Sequence, residues 1–318
     1  MPVCCLNTPS TPTVGGIESE NGAGIPVIEQ LLTDEGYVAA MRGYPGLIRP
    51  LNAGMSAVGV AIAGVVAAGF EGAVDRVWPL ALAALAAALF TGAGNALNDY
   101  FDRETDRVNH PDRPIPRGDV SPESAVRFAS ILFALSLALG YLVNLWAVAV
   151  VALNFLVMVG YELAFKARGA SGNFLIAYLV GSLFVFGGVA VFGGETEPLQ
   201  RAILLGLCAG LATGGREVAK DVEDVAGDVD RVTLPKRLGV RAAGVVAALA
   251  FVTGAAFSFV PFILGLFGLV YLGIVLVADI MFIYAGAYSA RNPGRAQRVA
   301  KYGMIVALAA FLAGGLLP

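Results

Sequence analysis

The 318-residue chain is 57% hydrophobic and only 14% charged, whereas soluble domains average about 25% charged residues. This composition excludes an ordinary soluble domain and favours a bundle of helices in a membrane. The net charge of −3 argues against the basic surface with which proteins bind nucleic acid, so no nucleic-acid partner is expected.

The chain begins with a polar segment. Residues 1–44 are rich in Gly, Pro, Ser and acidic side chains and lack a long apolar run. Such a segment buries too little apolar surface to fold alone, so we expect a disordered extension there. Residues 45–318 are expected to form one transmembrane domain.

Apolar stretches long enough to cross a bilayer as a helix, about 20 residues, recur along this domain. They predict an all-α, multi-pass membrane bundle of nine transmembrane helices. The sixth stretch is the least apolar, because Arg201 and Arg216 shorten its apolar part. The predicted spans are residues 52–70, 78–98, 124–143, 145–165, 172–193, 199–216, 241–260, 262–285 and 297–317.

The basic residues predict the orientation of the bundle. With nine spans and a cytoplasmic N-terminus, all of the 21 lysines and arginines except Arg76 and Arg201 fall on the cytoplasmic side. This bias is the positive-inside pattern of cell-membrane proteins. The two longest polar stretches between spans, residues 99–123 and 217–240, also fall on that side, so we expect the active site at the cytoplasmic face.

The first of these stretches opens with an acidic cluster at the end of the second span. Asn98, Asp102 and Asp106 recur every four residues, so they share one face if the helix continues. Oxygen side chains of this kind are ligands for Mg²⁺, which usually takes one or two carboxylates plus substrate phosphates. Arg113 and Arg117 follow in a proline-rich loop, where their guanidinium groups could bind phosphate oxygens.

The second acidic cluster follows the sixth span. Asp221, Asp224 and Asp228 are spaced i, i+3 and i+7, which again places three carboxylates on one helical face, with Lys220 beside them. One such cluster could be an ordinary solvated loop. Two clusters on the same side predict a clamp in which metal ions and cations hold an anionic diphosphate.

The motifs resemble those of the UbiA superfamily of intramembrane prenyltransferases. Residues 98–106 and the Arg-Pro-x-Pro-x-Gly of residues 113–118 look like the first family signature, and residues 216–239 look like the second. The resemblance covers about residues 45–318. Within the family, residues 161–188 and 216–228 are most similar to the archaeal digeranylgeranylglyceryl phosphate synthases.

This resemblance implies a function and a set of site residues. It implies Mg²⁺-assisted transfer of a geranylgeranyl group from its diphosphate to the hydroxyl of a lipid-phosphate acceptor, geranylgeranylglyceryl phosphate, for archaeal ether-lipid synthesis. The metal–diphosphate site would then comprise Asn98, Asp102, Asp106, Asp224 and Asp228. Residues near the diphosphate or the acceptor would be Arg49, Asn52, Arg113, Tyr161 and Lys166.

Several assignments stay open from the residues alone. The base that takes the hydroxyl proton is Asp99, Asp221 or a phosphate oxygen, and charge and position suggest Lys220, Arg216 or Arg117 for the acceptor phosphate. An aromatic acceptor, as in quinone, haem or chlorophyll tail attachment, is the alternative within the family. A secondary transporter is the alternative outside it, although transporter sites lie near the bilayer midplane rather than at helix ends.

Overall fold

The computed structural model describes residues 43–166, 170–225 and 232–317, and these residues form helices joined by short connections. The extension predicted over residues 1–44 lies outside the described residues up to position 42. A short helical segment over residues 43–48 precedes the first span. The helices are α1 (Pro50–Asp75), α2 (Val77–Phe101), α3 (Arg103–Asn109), α4 (Pro114–Arg117), α5 (Pro122–Val143), α6 (Leu145–Gly160), α7 (Ala170–Ala190), α8 (Thr196–Asp224), α9 (Leu234–Leu238), α10 (Val240–Phe257), α11 (Val260–Ile263), α12 (Leu269–Tyr288) and α13 (Pro293–Leu316).

Nine of the described helices are long and apolar enough to cross a membrane, which confirms the predicted all-α, nine-span architecture. They are α1, α2, α5, α6, α7, α8, α10, α12 and α13. The predicted start of the eighth span at residue 262 was wrong by seven residues, because residues up to Ile263 still belong to the seventh span. Gly265, with φ 69°, then turns the chain before α12 begins at Leu269.

The spans pack in a closed ring, and the first span also packs against two spans on the far side of the ring. Each span packs against the next in chain order, and α13 packs back against α1. Contacts of α1 with α7 and α8 cross the ring and divide it into two halves. The half formed by α1, α2, α5, α6 and α7 surrounds a cavity that leads to the first acidic cluster.

Glycines set the spacing between α7 and α8. A Cβ atom added at Gly181 would lie 2.7 Å from the carbonyl oxygen of Gly206, which is closer than real Cβ atoms approach. The two backbones therefore pack as closely as small residues permit in a membrane bundle.

Replacing Gly181 by Ala is expected to destabilise the bundle. The added methyl must push α7 away from the backbone of α8, and overpacking of this kind costs about 1–3 kcal/mol. Thermal unfolding in detergent measures the effect. Gly273→Ala in α12 is the control, since a Cβ there meets nothing within 4 Å. Equal melting temperatures for the two variants would contradict the prediction.

Candidate active site

A cavity of about 520 Å³ lies inside the first half of the ring and becomes polar at one end. Its apolar part is lined by residues such as Ala87, Phe90 and Leu183. Its polar end lies where α2 and α6 finish and α1 begins. The polar side chains lining that end include Arg49, Asn52, Asn98, Tyr161 and Glu162. An apolar chain with a charged head fits a cavity of this shape.

The helical path of the first acidic cluster is continuous. Asp102 joins α2 to α3, and the hydrogen bonds on both sides of it keep the helical i to i−4 pattern. The amide of Asp102 donates to the carbonyl of Asn98 at 2.9 Å, and the amide of Asp106 donates to that of Asp102 at 2.8 Å. The helix therefore continues through Asp102, which is the condition under which the four-residue spacing places Asn98, Asp102 and Asp106 on one face.

Asp99 lies off the face shared by Asn98, Asp102 and Asp106, but it is the most buried carboxylate of residues 98–106, at 1% exposed. Its Oδ1 pairs with the guanidinium of Arg49 and lies 3.6 Å from Nη1 of Arg113. Arg49 reaches it from the turn between residues 43–48 and α1, where its φ of 53° is left-handed. The other oxygen, Oδ2, is buried and accepts no hydrogen bond from the described residues.

Arg113 links two carboxylates that would otherwise repel each other. Its Nη1 also pairs with Oδ2 of Asp106, which is 3% exposed. Arg113 is held in place because Pro114 starts α4 immediately after it. Arg113 was predicted to bind phosphate oxygens; in this structure it pairs with the acidic cluster, in a partly buried site where its charge is weakly screened.

The turn after α6 contributes Glu162, a buried carboxylate that was not predicted from the sequence and that contacts two predicted site residues. Residues Tyr161–Phe165 form a π-helical turn, and it places the side chain of Glu162 at 0% exposure. Glu162 accepts a hydrogen bond from Nδ2 of Asn98 at 2.9 Å and from Nζ of Lys166 at 2.9 Å. The same Nζ lies 2.8 Å from Oδ1 of Asp102. A glutamate in an apolar span four residues before a lysine was the available signal.

The second acidic cluster starts on the last turns of α8. This helix runs on to Asp224, so the spacing of Asp221 and Asp224 is helical as predicted. Oδ2 of Asp221 accepts a hydrogen bond from Nδ2 of Asn173, near the start of α7, at 2.7 Å. Lys220 and Asp224 are exposed, and Asp228 lies outside the described residues.

Both acidic clusters lie at the same end of the bundle. Lys166, which follows α6, contacts the first cluster, and Asn173, seven residues later, contacts the second. The two clusters are therefore contacted by residues that lie just before and just after the connection from α6 to α7.

Three further predicted residues have distinct surroundings. Asn52 lines the polar end of the cavity, and the ring of Tyr161 lies 6.0 Å from Nζ of Lys166. Arg117 instead faces solvent and donates from Nε to Oδ2 of Asp119 at 2.6 Å. That hydrogen bond raises the pKa of Arg117, and the described contacts of its side chain involve neither acidic cluster.

The carboxylates suit a metal that also takes ligands from a substrate. Among the residues that the structure describes, no three acidic, cysteine or histidine side chains converge to hold an ion by themselves. The donor set near the cavity consists of Asn98 and Asp102, with the unpartnered oxygen of Asp99 close by in sequence. Such a set fits Mg²⁺, which binds one or two carboxylates together with substrate phosphates.

Comparison with solved structures supports the fold. A solved structure of digeranylgeranylglyceryl phosphate synthase superposes with a TM-score of 0.77 at 33% identity, covering 87% of this chain and 99% of that one. A UbiA homologue from Archaeoglobus fulgidus, bound to DMAPP and Mg²⁺, has a TM-score of 0.56. It is 15% identical and covers 85% of this chain and 99% of its own, a likeness that concerns the fold alone.

Sequence comparison identifies the family. The digeranylgeranylglyceryl phosphate synthase of Halobacterium salinarum is 43% identical over 277 residues, which are 86% of this chain and 98% of that protein. The profile of the UbiA prenyltransferase family matches residues 57–313. The chain therefore belongs to the UbiA prenyltransferase family.

Proposed function

We propose that this prenyltransferase transfers a geranylgeranyl group from geranylgeranyl diphosphate to the hydroxyl of geranylgeranylglyceryl phosphate. The observation that carries the proposal is the cavity of about 520 Å³, whose apolar part leads to Asn98 and Glu162 beside the Asp102–Lys166 pair. Its shape and charge suit a prenyl diphosphate. The 43% identity to the synthase of Halobacterium salinarum supports this acceptor over an aromatic one.

The cations at the polar end bind and orient the diphosphate. Arg49 and Lys166 each lie against a carboxylate of the first cluster, so they are placed to hold phosphate oxygens beside it. Asp106 is paired with Arg113, so Asn98 and Asp102, with Asp224 and Asp228 from the second cluster, are the residues that would hold Mg²⁺. Asp221 is then left for the acceptor. When bound, Mg²⁺ neutralises the diphosphate charge and makes diphosphate a better leaving group.

Transfer then exchanges one carbon–oxygen bond for another. The bond between C1 of the donor and the diphosphate oxygen breaks, and the acceptor hydroxyl oxygen bonds to C1. We assign the hydroxyl proton to Asp221, because Asp99 is 1% exposed and is engaged by arginines. Phe90 and Leu183 line the apolar part of the cavity, where they keep water from the allylic group.

We propose that the active site lies at the cytoplasmic face, and the charge pattern supports this orientation. The end of the bundle that carries both acidic clusters also carries Arg103, Arg107 and Arg113 in the segment between α2 and α5. Loops of this charge remain in the cytoplasm when the protein is inserted. A polar diphosphate made in the cytoplasm then reaches the site without crossing the membrane.

Purified protein tests the proposed function directly. Labelled geranylgeranyl diphosphate is supplied with Mg²⁺ and, in parallel, with geranylgeranylglyceryl phosphate or with an aromatic acceptor. We expect labelled digeranylgeranylglyceryl phosphate in the first reaction and none of the aromatic product in the second. Transfer to the aromatic acceptor alone would contradict the assignment.

Glu162→Gln is expected to raise the Mg²⁺ concentration needed for half-maximal activity about three- to tenfold, which corresponds to about 1 kcal/mol. Lys166 is shared between Glu162 and Asp102, at 2.9 and 2.8 Å. Without the Glu162 charge, Lys166 binds Asp102 more strongly and competes with the metal. Mg²⁺ titration of the activity measures the shift. Glu197→Gln is the control, because Glu197 is 57% exposed and pairs with Arg201 away from both acidic clusters. An unchanged Mg²⁺ requirement in Glu162→Gln would refute the idea.

A further inference from the structure

Helix α7 separates two apolar hollows. One of its faces, including Leu179 and Leu183, lines the cavity that leads to the first acidic cluster. The opposite face, including Ala177 and Gly181, lines a second hollow of about 540 Å³. The two hollows share no lining residue, so they are distinct spaces on either side of one helix, which is about 10 Å wide.

The second hollow is a lateral groove bounded mainly by α7, α8 and α10. Most of its lining is aliphatic or small, and Val246 and Ala250 of α10 form one wall. It is open to the side, since Phe174 is 70% and Leu207 is 46% exposed. In a bilayer this opening faces lipid, so an isoprenoid chain can enter the groove without leaving the membrane.

One end of the groove reaches the second acidic cluster. Gly210, Gly214 and Val218 line it along one face of α8, and Asp221 follows on the same face three residues after Val218. Asn173, which donates to Asp221 at 2.7 Å, is itself a lining residue. An apolar chain in the groove therefore has its polar end beside Asp221.

We propose that this groove holds the isoprenoid chain of the lipid-phosphate acceptor, while the inner cavity holds the chain of the donor. The inference rests on the proposed function, in which both substrates carry a long apolar chain. The cavity side has Arg49 and Asn98 for a diphosphate, and its apolar wall, which includes Phe90, lies beside the place of the reactive allylic carbon. The groove side has Asp221 for the acceptor hydroxyl, and its lateral opening admits a lipid already in the bilayer.

Ala250→Trp tests the proposal by filling the groove from α10. We expect the KM for geranylgeranylglyceryl phosphate to rise about tenfold, while the KM for geranylgeranyl diphosphate and the kcat at saturation stay within twofold of wild type. Val246→Trp, one turn away on the same wall, is expected to act alike. Leu249→Trp is the matched control, because Leu249 is 60% exposed and does not line the groove.

Chain length supplies a second readout. With a glyceryl phosphate acceptor whose isoprenoid chain is cut to about half, wild type and Ala250→Trp are expected to have the same KM, since the shorter chain no longer reaches the blocked section. An unchanged acceptor KM in both tryptophan variants, or a raised donor KM, would overturn the groove assignment while wild-type turnover upholds the proposed function. Absence of wild-type turnover with this acceptor would overturn both.

Discussion

Asp102→Asn is expected to lower the rate of prenyl transfer by about 10²- to 10³-fold while the protein still folds. The substitution removes a negative charge from the proposed metal–diphosphate site, and removal of one such electrostatic group has an effect of about this size. Folding is expected to survive because Lys166 keeps its contact with Glu162 at 2.9 Å, and Asp102 is itself 21% exposed.

The measurement is single-turnover transfer from labelled donor at saturating Mg²⁺, together with the melting temperature in detergent. Glu104→Gln is the matched control, because Glu104 lies two residues away on α3 but is 64% exposed and pairs with Arg107. Wild-type-like rates in Asp102→Asn would remove the basis for a metal clamp at the first cluster. A large loss in Glu104→Gln would show instead that the whole of α3 is sensitive to charge.

Arg113→Met is expected to lower the free energy of unfolding of the metal-free protein by about 3 kcal/mol. Arg113 is the cation that lies between Asp99 and Asp106, whose side chains are 1% and 4% exposed. Removing one partner from a buried ion pair leaves an uncompensated charge and costs about 3–5 kcal/mol. Because Arg113 is 26% exposed, we take the lower end of that range.

Thermal unfolding in detergent without divalent cations measures this loss. Mg²⁺ added with a non-hydrolysable prenyl diphosphate is expected to recover part of it, since binding stabilises the folded state. Arg117→Met is the control: its side chain is 49% exposed and pairs with Asp119 outside both clusters, so the melting temperature is expected to stay at the wild-type value. Equal melting temperatures in the two variants would contradict a structural role for Arg113.

The sequence predicted the spans because hydropathy and length suffice to place helices in a bilayer, and it predicted the face shared by Asn98 and Asp102 because α2 continues through Asp102. It could not predict which side chains pair between helices. Arg49 and Asp99 are 50 positions apart, and Asn173 and Asp221 are 48 apart. Such pairs depend on how the ring closes, which local periodicity does not encode.

The start of α12 and the role of Glu162 were missed for related reasons. The apolar run over residues 262–278 contains no charged residue, so hydropathy cannot reveal the turn at Gly265. Glu162 was not among the predicted site residues, because its burial follows from a π-helical turn. A turn of this kind depends on packing against Asn98 and cannot be read from residue preferences.

That π-helical turn also affects how relatives of this protein can be compared. The amide of Lys166 donates to the carbonyl of Tyr161, five residues earlier, at 2.9 Å. A π turn holds one residue more than an α turn. Deleting one residue between Tyr161 and Lys166 would restore an α turn and still direct both side chains to the same side. We therefore expect this point of the chain to tolerate a length change of one residue, so an alignment should match the aromatic and the lysine whether three or four residues separate them.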